Sequence, residues 1–268
     1  MTNYELDRSV VVDGATVRYA VHGRGTRDLL LVHGAGAHQL WFYRMFDALR
    51  KDWRVITVDL TGHGFSDHRE RYTVETWANE LAEILRTECS EPALVAGHSM
   101  GSRVALALTA NNPELVRELI MIDGNIRSPE EIATISDRKP LLSPKYYATK
   151  EDALARFRLV PGQPEPGMDV LLPIAEYSVV KRDQGWSWRH DWSTITEPYD
   201  EYINSRVPQI TQPVTFVYGT QSPVSGKDKA DYFAEIATTD VDVIAIEGGG
   251  HHLMLDRPDE CLALFTGK

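Results

Sequence analysis

The sequence predicts an α/β fold: a mostly parallel sheet flanked by helices, with a helical segment inserted late between two of its strands. Three observations carry this. Short apolar runs rich in Val, Ile and Leu recur along the chain as DLLLV, RVITV, PALVA, LIMI, VTFVY and VDVIAI. Each is followed by a turn and most then by an amphipathic stretch, the pattern of parallel strands covered on both faces. The chain begins differently, with SVVVDGATVRYAVHG, in which Asp13-Gly14 separates two β-branched stretches and signals a hairpin. Between residues 128 and 206 the strand rhythm stops, and Pro-punctuated amphipathic pieces carry Trp186, Trp188 and Trp192.

Apolar spacing predicts helices at Val74 to Glu88, Met100 to Asn111, Lys227 to Ala237 and Pro258 to Phe265. The expected organisation is a core domain of residues 1–127 and 207–268, with 128–206 as a helical cap. A cap fits because ligands bind at the carboxyl ends of the strands in open α/β sheets. A helical extension packed on the side of the core is the alternative.

Composition narrows the function. A formal net charge of -11 offers no basic surface for nucleic acid or for an anionic membrane. No apolar run approaches the ~18 residues of a membrane span, and the start, MTNYELDRSV, has no leader pattern. Cys89 and Cys261 lack CxxC or zinc-type spacing and read as buried thiols in a reducing compartment. A cytoplasmic protein acting on a small molecule is expected, as a monomer or a homodimer.

GHSMG at 97–101 matches GxSxG and lies between the strand-like PALVA and the helical SRVALALTA. Strand, sharp turn and helix form a nucleophile elbow, which lifts Ser99 above the sheet edge. Otherwise Ser99 simply caps the helix. A serine hydroxyl needs a base. Of nine histidines, His251 in EGGGHHLMLDRP is the chosen base and His252 the runner-up, because the loop follows the last strand and its glycines permit aiming. His33, His63 and His98 each adjoin a glycine and read as structural. No HExxH or clustered-carboxylate spacing implies a metal.

An oxyanion needs preorganised donors. The Met100 amide, directly after the nucleophile, is one; the Ala35 amide in the loop HGAG at 33–36 is the other. GAGAHQ lacks the third glycine of GxGxxG and no GK[ST] exists, so no nucleotide or other cofactor is expected.

VHGAG, DLTGHG at 59–64, GHSMG and GGHHLMLDRP, in this order, resemble the α/β-hydrolase fold superfamily over nearly the whole chain apart from the cap. The resemblance implies an eight-stranded sheet, a Ser, acid, His triad in that chain order, and hydrolysis of esters or related bonds without a cofactor. It also selects His251, five residues before the acid of Asp256-Arg257-Pro258. The triad acid departs from the commoner pattern, because the expected GxxD reads GTQS, with Ser222 at the acid position. Asp123, ending LIMID, is favoured because a strand end aims a carboxylate well. Asp228 is the alternative, and Asp59 lies too early for the family's chain order.

The expected enzyme is a serine hydrolase of carboxylic esters or related acyl bonds, working through an acyl-enzyme. Thioesters, lactones and carbon–carbon bonds of diketone-like substrates are alternatives, as is a non-catalytic ligand-binding member. A haloalkane dehalogenase would need a carboxylate at position 99. Trp41, Phe42, Phe157, Trp186 and Trp188 are candidates for an apolar pocket wall, and Arg158 and Arg189 for pairing with a substrate carboxylate.

Overall fold

A computed structural model of the chain describes residues 5–134, 144–164, 166–195 and 199–267. β1 (Arg8–Val12) pairs antiparallel with β2 (Ala15–His22), Val12 opposite Ala15. The two residues between them, Asp13 and Gly14, have φ of 47° and 78°. Two successive positive values define the type I′ geometry, whose twist matches that of a two-residue hairpin.

The chain continues as β3 (Arg27–Val32), α1 (Tyr43–Leu49), β4 (Trp53–Asp59), α2 (Val74–Glu88), β5 (Ala93–His98), α3 (Met100–Asn111) and β6 (Val116–Ile122). An insertion follows, with α4 (Pro129–Thr134), α5 (Lys150–Leu154), α6 (Met168–Ser178), β7 (Val179–Arg182), β8 (Gly185–Trp188) and α7 (Asp200–Arg206). The last part is β9 (Val214–Gly219), α8 (Lys227–Ile236), β10 (Val241–Ile246), α9 (Leu253–Asp256) and α10 (Pro258–Ala263). α2 shows why such segments become helical. Thr73 caps its start by accepting from Thr76 N at 3.0 Å, and Val74, Trp77, Ala78, Leu81, Ala82 and Leu85 form one buried stripe.

The main sheet has eight strands in the order β1-β2-β4-β3-β5-β6-β9-β10. β2 is antiparallel to both of its neighbours; every pairing from β4 to β10 is parallel. The loops after β3, β5, β6 and β10 therefore leave from one edge of the sheet. Alternation explains the continuous apolar runs. Leu30 and Val32 of β3 pack in one core with Leu81, Val104 and Phe233, whereas Leu29 and Leu31 pack in the opposite core with Phe46, Leu94 and Phe265. Strands buried on both faces need apolar residues at every position.

The insertion departs from the all-helical expectation. β7 and β8 form an antiparallel hairpin, extended by a bridge from Tyr147 to Trp186. Four-residue strands interrupted by Lys and Arg leave too little alternation to read from the sequence. Gly185 (φ 132°) permits the bridge, since a Cβ there would lie 2.5 Å from the Tyr147 carbonyl oxygen. Residues 135–143, 165 and 196–198 of the expected cap lie outside the described residues.

Hydrogen bonds fasten the insertion to the loops after β3 and β4. His38 Nε2 meets Ile174 O at 3.1 Å and Ser178 Oγ at 3.0 Å, Tyr177 OH donates to Asp59 Oδ2 at 2.7 Å, and Asp191 N donates to Gly62 O at 2.7 Å. Among the described residues no helix is long and apolar enough to cross a membrane. Both cysteines are free; Cys261 is buried, and burial pushes the half-buried Cys89 thiol up to about 12.

Candidate active site

Ser99 ends β5 and starts α3 with φ 54° and ψ -120°. A non-glycine residue there carries about 1–3 kcal/mol of strain and persists only where its surroundings over-determine it. They do so here. Ser99 N donates to Ile122 O at 2.9 Å, and backbone crowds the turn on both sides. A Cβ on Gly97 would lie 2.3 Å from Gly101 O, and one on Gly101 would lie 2.3 Å from His33 O. The Ser99 side chain makes no capping bond, which removes the helix-cap explanation.

The loop after β3 presses against this turn. A Cβ on Gly34 would lie 3.1 Å from Ser99 Cβ and 3.1 Å from His98 Nδ1. Ala35 and Gly36 form the corner of a turn closed by Ala37 N donating to Gly34 O at 3.2 Å, with Gly36 at φ 65°. Met100 is the first residue of α3, so its N–H is among those that no intrahelical carbonyl satisfies.

Asp123 follows β6 with φ 50°, held by its N–H donating to Val217 O at 2.7 Å. Its carboxylate is fully buried and receives three hydrogen bonds. Gly219 N donates to Oδ1 at 3.0 Å; Ser222 Oγ and His251 Nδ1 both donate to Oδ2 at 2.6 Å. Ser222, which stands where the commoner pattern has the acid, thus donates to the Asp123 carboxylate instead. Its own oxygen accepts from Val224 N and Ser225 N at 3.1 and 3.3 Å. Asp228 lies in α8 with a side chain 75% exposed, beside Lys229, and does not meet His251. Asp59 is buried but committed elsewhere, to Gln39 N, Phe65 N and Tyr177 OH.

His251 is buried in the loop after β10, its carbonyl oxygen accepting from His98 Nε2 at 2.9 Å. The glycines before it serve close packing more than flexibility. Gly248 has φ 66°, but Gly249 makes room for Leu253 and Gly250 for Gln163. Asp256 and Arg257 explain the spacing that singled out His251: Asp256 Oδ2 accepts from Gly250 N at 2.9 Å, and Arg257 Nη2 donates to Gly248 O at 2.9 Å. Neither Gln163 nor the supporting role of Ser222 was visible in the sequence. Asp256 was visible only as part of a motif.

The other histidines hold backbone or rings. His33 Nε2 accepts from Leu60 N at 3.1 Å, His63 Nδ1 meets Thr61 O at 3.3 Å, and His252 Nδ1 accepts from Trp41 Nε1 at 3.2 Å. Burial pushes His33 down to about 4 and His252 to about 3, and holds His38, His63 and His98 well below 6.5. In the unfolded chain these rings titrate near 6.5. Below that pH the unfolded state binds protons that the folded state refuses, so stability is full above about pH 6.5 and falls towards pH 4. Asp59 and Glu80, which burial raises, offset part of the loss near the carboxylate range. Urea unfolding is expected to show the midpoint falling across this window, each ring contributing up to about 1.4 kcal/mol per pH unit. A flat profile contradicts it.

His98, His251 and His252 each offer a ring nitrogen within 4.8 Å of the others. A tetrahedral metal with bonds of about 2.1 Å needs its nitrogens about 3.4 Å apart. The rings are instead tilted or edge-on to one another, with centroids 4.6 to 5.5 Å apart. Of the aromatic candidates, Phe42 is wholly core, Trp41 and Phe157 are buried, and Trp188 packs against the core edge. Trp186 pairs with Lys181 across the hairpin. Arg158 donates to the Ala155 and Phe157 carbonyls; Arg189 donates to the Tyr177 and Val179 carbonyls and lies 3.9 Å over Phe65.

Across known families, the profile described as the Alpha/beta hydrolase family matches residues 29–264. The chain belongs to this family. It is similar to the 2-(acetamidomethylene)succinate hydrolase of Mesorhizobium japonicum, 32% identical over 123 residues, 46% of this chain and 44% of that protein. The match thus spans less than half of that relative. Esterase YbfF of Escherichia coli is 26% identical over 221 residues, 80% of this chain and 82% of its own. A solved structure of E-2-(acetamidomethylene)succinate hydrolase superposes with a TM-score of 0.82 at 22% identity, covering 97% of each chain. At that identity the likeness is one of fold.

Proposed function

We propose that this alpha/beta hydrolase is a serine hydrolase that cleaves a carboxylic ester or related acyl bond of a small molecule, with Ser99 as nucleophile, His251 as base and Asp123 as acid. The observation that carries the reading is the 2.6 Å bond from His251 Nδ1 to buried Asp123, on the same sheet edge as the strained turn at Ser99. Similarity to an esterase over most of both chains supports the same class.

His251 Nε2 takes the Ser99 proton as Oγ bonds to the carbonyl carbon, and the Ala35 and Met100 amides stabilise the oxyanion. The imidazolium then gives that proton to the departing alcohol oxygen as the carbon–oxygen bond breaks, leaving an acyl-enzyme. Water, deprotonated by the same ring, adds to the acyl carbon; Ser99 leaves with the proton and the carboxylic acid is released. Asp123 fixes the tautomer with Nδ1 protonated and stabilises the imidazolium. Residues 128–206 act as the cap that selects the acyl and alcohol groups.

A panel of chromogenic esters of varied chain length, run beside a lactone and a diketone and paired with fluorophosphonate labelling, tests this. Ester turnover with labelling at one site is expected. Neither turnover nor labelling would replace the hydrolase with a ligand-binding protein, and turnover confined to the diketone would move the bond to carbon–carbon.

A further inference from the structure

A turn stays where its backbone groups are satisfied. The turn carrying His251 is held from its own C-terminal side by Asp256 on Gly250 N and Arg257 on Gly248 O. It is also held from the insertion. Gln163 Oε1 accepts from His252 N at 2.8 Å, and Gln163 Nε2 donates to Asp256 Oδ2 at 3.3 Å. The fit is close, because a Cβ on Gly250 would lie 2.7 Å from Gln163 Oε1. Just before it, Phe157 and Leu159 bury against the core face that includes Trp41 and Leu253. Asp256 is a half-buried carboxylate raised by burial, and its Oδ1 has no partner among the described residues, so the Gln163 amide is one of few donors it has.

We propose that Gln163 is a positioning residue. It clamps the 251–252 peptide to the insertion, so that His251 is aimed at Ser99 while residues 157–164 are docked and loses that aim when they lift away. The inference rests on the reading of His251 as the base. Asp123 fixes the ring at Nδ1, but where the ring starts depends on its own backbone, and the N–H next to it is the one Gln163 holds. A displacement of about 1 Å in such a group costs roughly a hundredfold in rate.

Two variants test the clamp. Gln163→Ala removes both bonds. Gln163→Glu keeps an acceptor for His252 N but sets a carboxylate against Asp256. Turnover is measured per active site titrated with a fluorophosphonate, so that unfolded protein does not count, and thermal midpoints are recorded alongside. Both single variants are expected to lose about ten- to a hundredfold in kcat and in labelling rate, with KM changed less than about threefold. A turnover per titrated site in Gln163→Ala within about twofold of wild type, whatever its thermal midpoint, overturns the clamp. His251→Gln separates the layers. If it stays fully active, the base assignment fails and the clamp with it; if it is inactive while Gln163→Ala is normal, the clamp alone fails.

Discussion

Ser99→Ala is expected to abolish hydrolysis, with kcat falling on the order of a millionfold, while the protein folds at least as well as wild type. The loss follows from removing the only protein atom proposed to bond to the substrate carbon. Stability should hold, because the hydroxyl caps nothing and the turn is built by backbone: Ser99 N on Ile122 O and the close approaches at Gly97 and Gly101. Ser99→Gly sharpens the prediction. Glycine adopts φ 54° without the strain a side chain brings, so this variant should be inactive yet more stable, by about 1 kcal/mol. Denaturant unfolding beside ester assays checks both. A Ser99→Ala protein with even a hundredth of wild-type turnover would remove Ser99 from the chemistry, and a Ser99→Gly protein less stable than wild type would remove the strain argument.

Asp123→Asn is expected to lower kcat about ten-thousandfold with the fold retained, because an amide that presents its NH2 to Nδ1 favours the wrong imidazole tautomer and cannot stabilise the imidazolium. Asp228→Asn should change nothing measurable, since that side chain is exposed on α8. The stronger test uses Ser222. Its hydroxyl reaches the same Asp123 oxygen that His251 does, at the same 2.6 Å. A carboxylate grown from position 222 therefore comes within reach of Nδ1. Ser222→Asp placed on Asp123→Asn should recover about ten- to a hundredfold, whereas Ser222→Asp alone should harm the enzyme by crowding two buried carboxylates. If Asp123→Asn keeps wild-type turnover, the acid assignment is wrong. If the double variant recovers nothing, Ser222 is a prop for the loop and not a vacated acid position.

How legible the site was in the sequence depended on the range of the forces involved. The strands of the sheet could be read because burial on both faces demands unbroken apolar runs, as in Leu29 to Val32. The elbow could be read because glycine, serine and glycine at fixed spacing answer local crowding. The hairpin of β7 and β8 could not, since Val179–Arg182 and Gly185–Trp188 are too short for alternation to show and pair partly through Tyr147, distant in sequence. The three glycines before His251 were legible as a loop but not for their reason, which is the approach of Leu253 and Gln163.

Local sequence by itself determined the strand runs, the α2 and α3 helices, the bend at Ser99 and the turn at Asp13-Gly14, because each depends on steric and burial preferences within a few residues. Only the tertiary structure decided that Asp123 and not Asp228 meets His251, that Ser222 backs that carboxylate, and that an insertion residue grips the turn of the histidine. Those contacts join residues 89 to 128 positions apart. They exist because parallel strands bring their carboxyl ends to one edge, an arrangement that no local pattern of residues encodes.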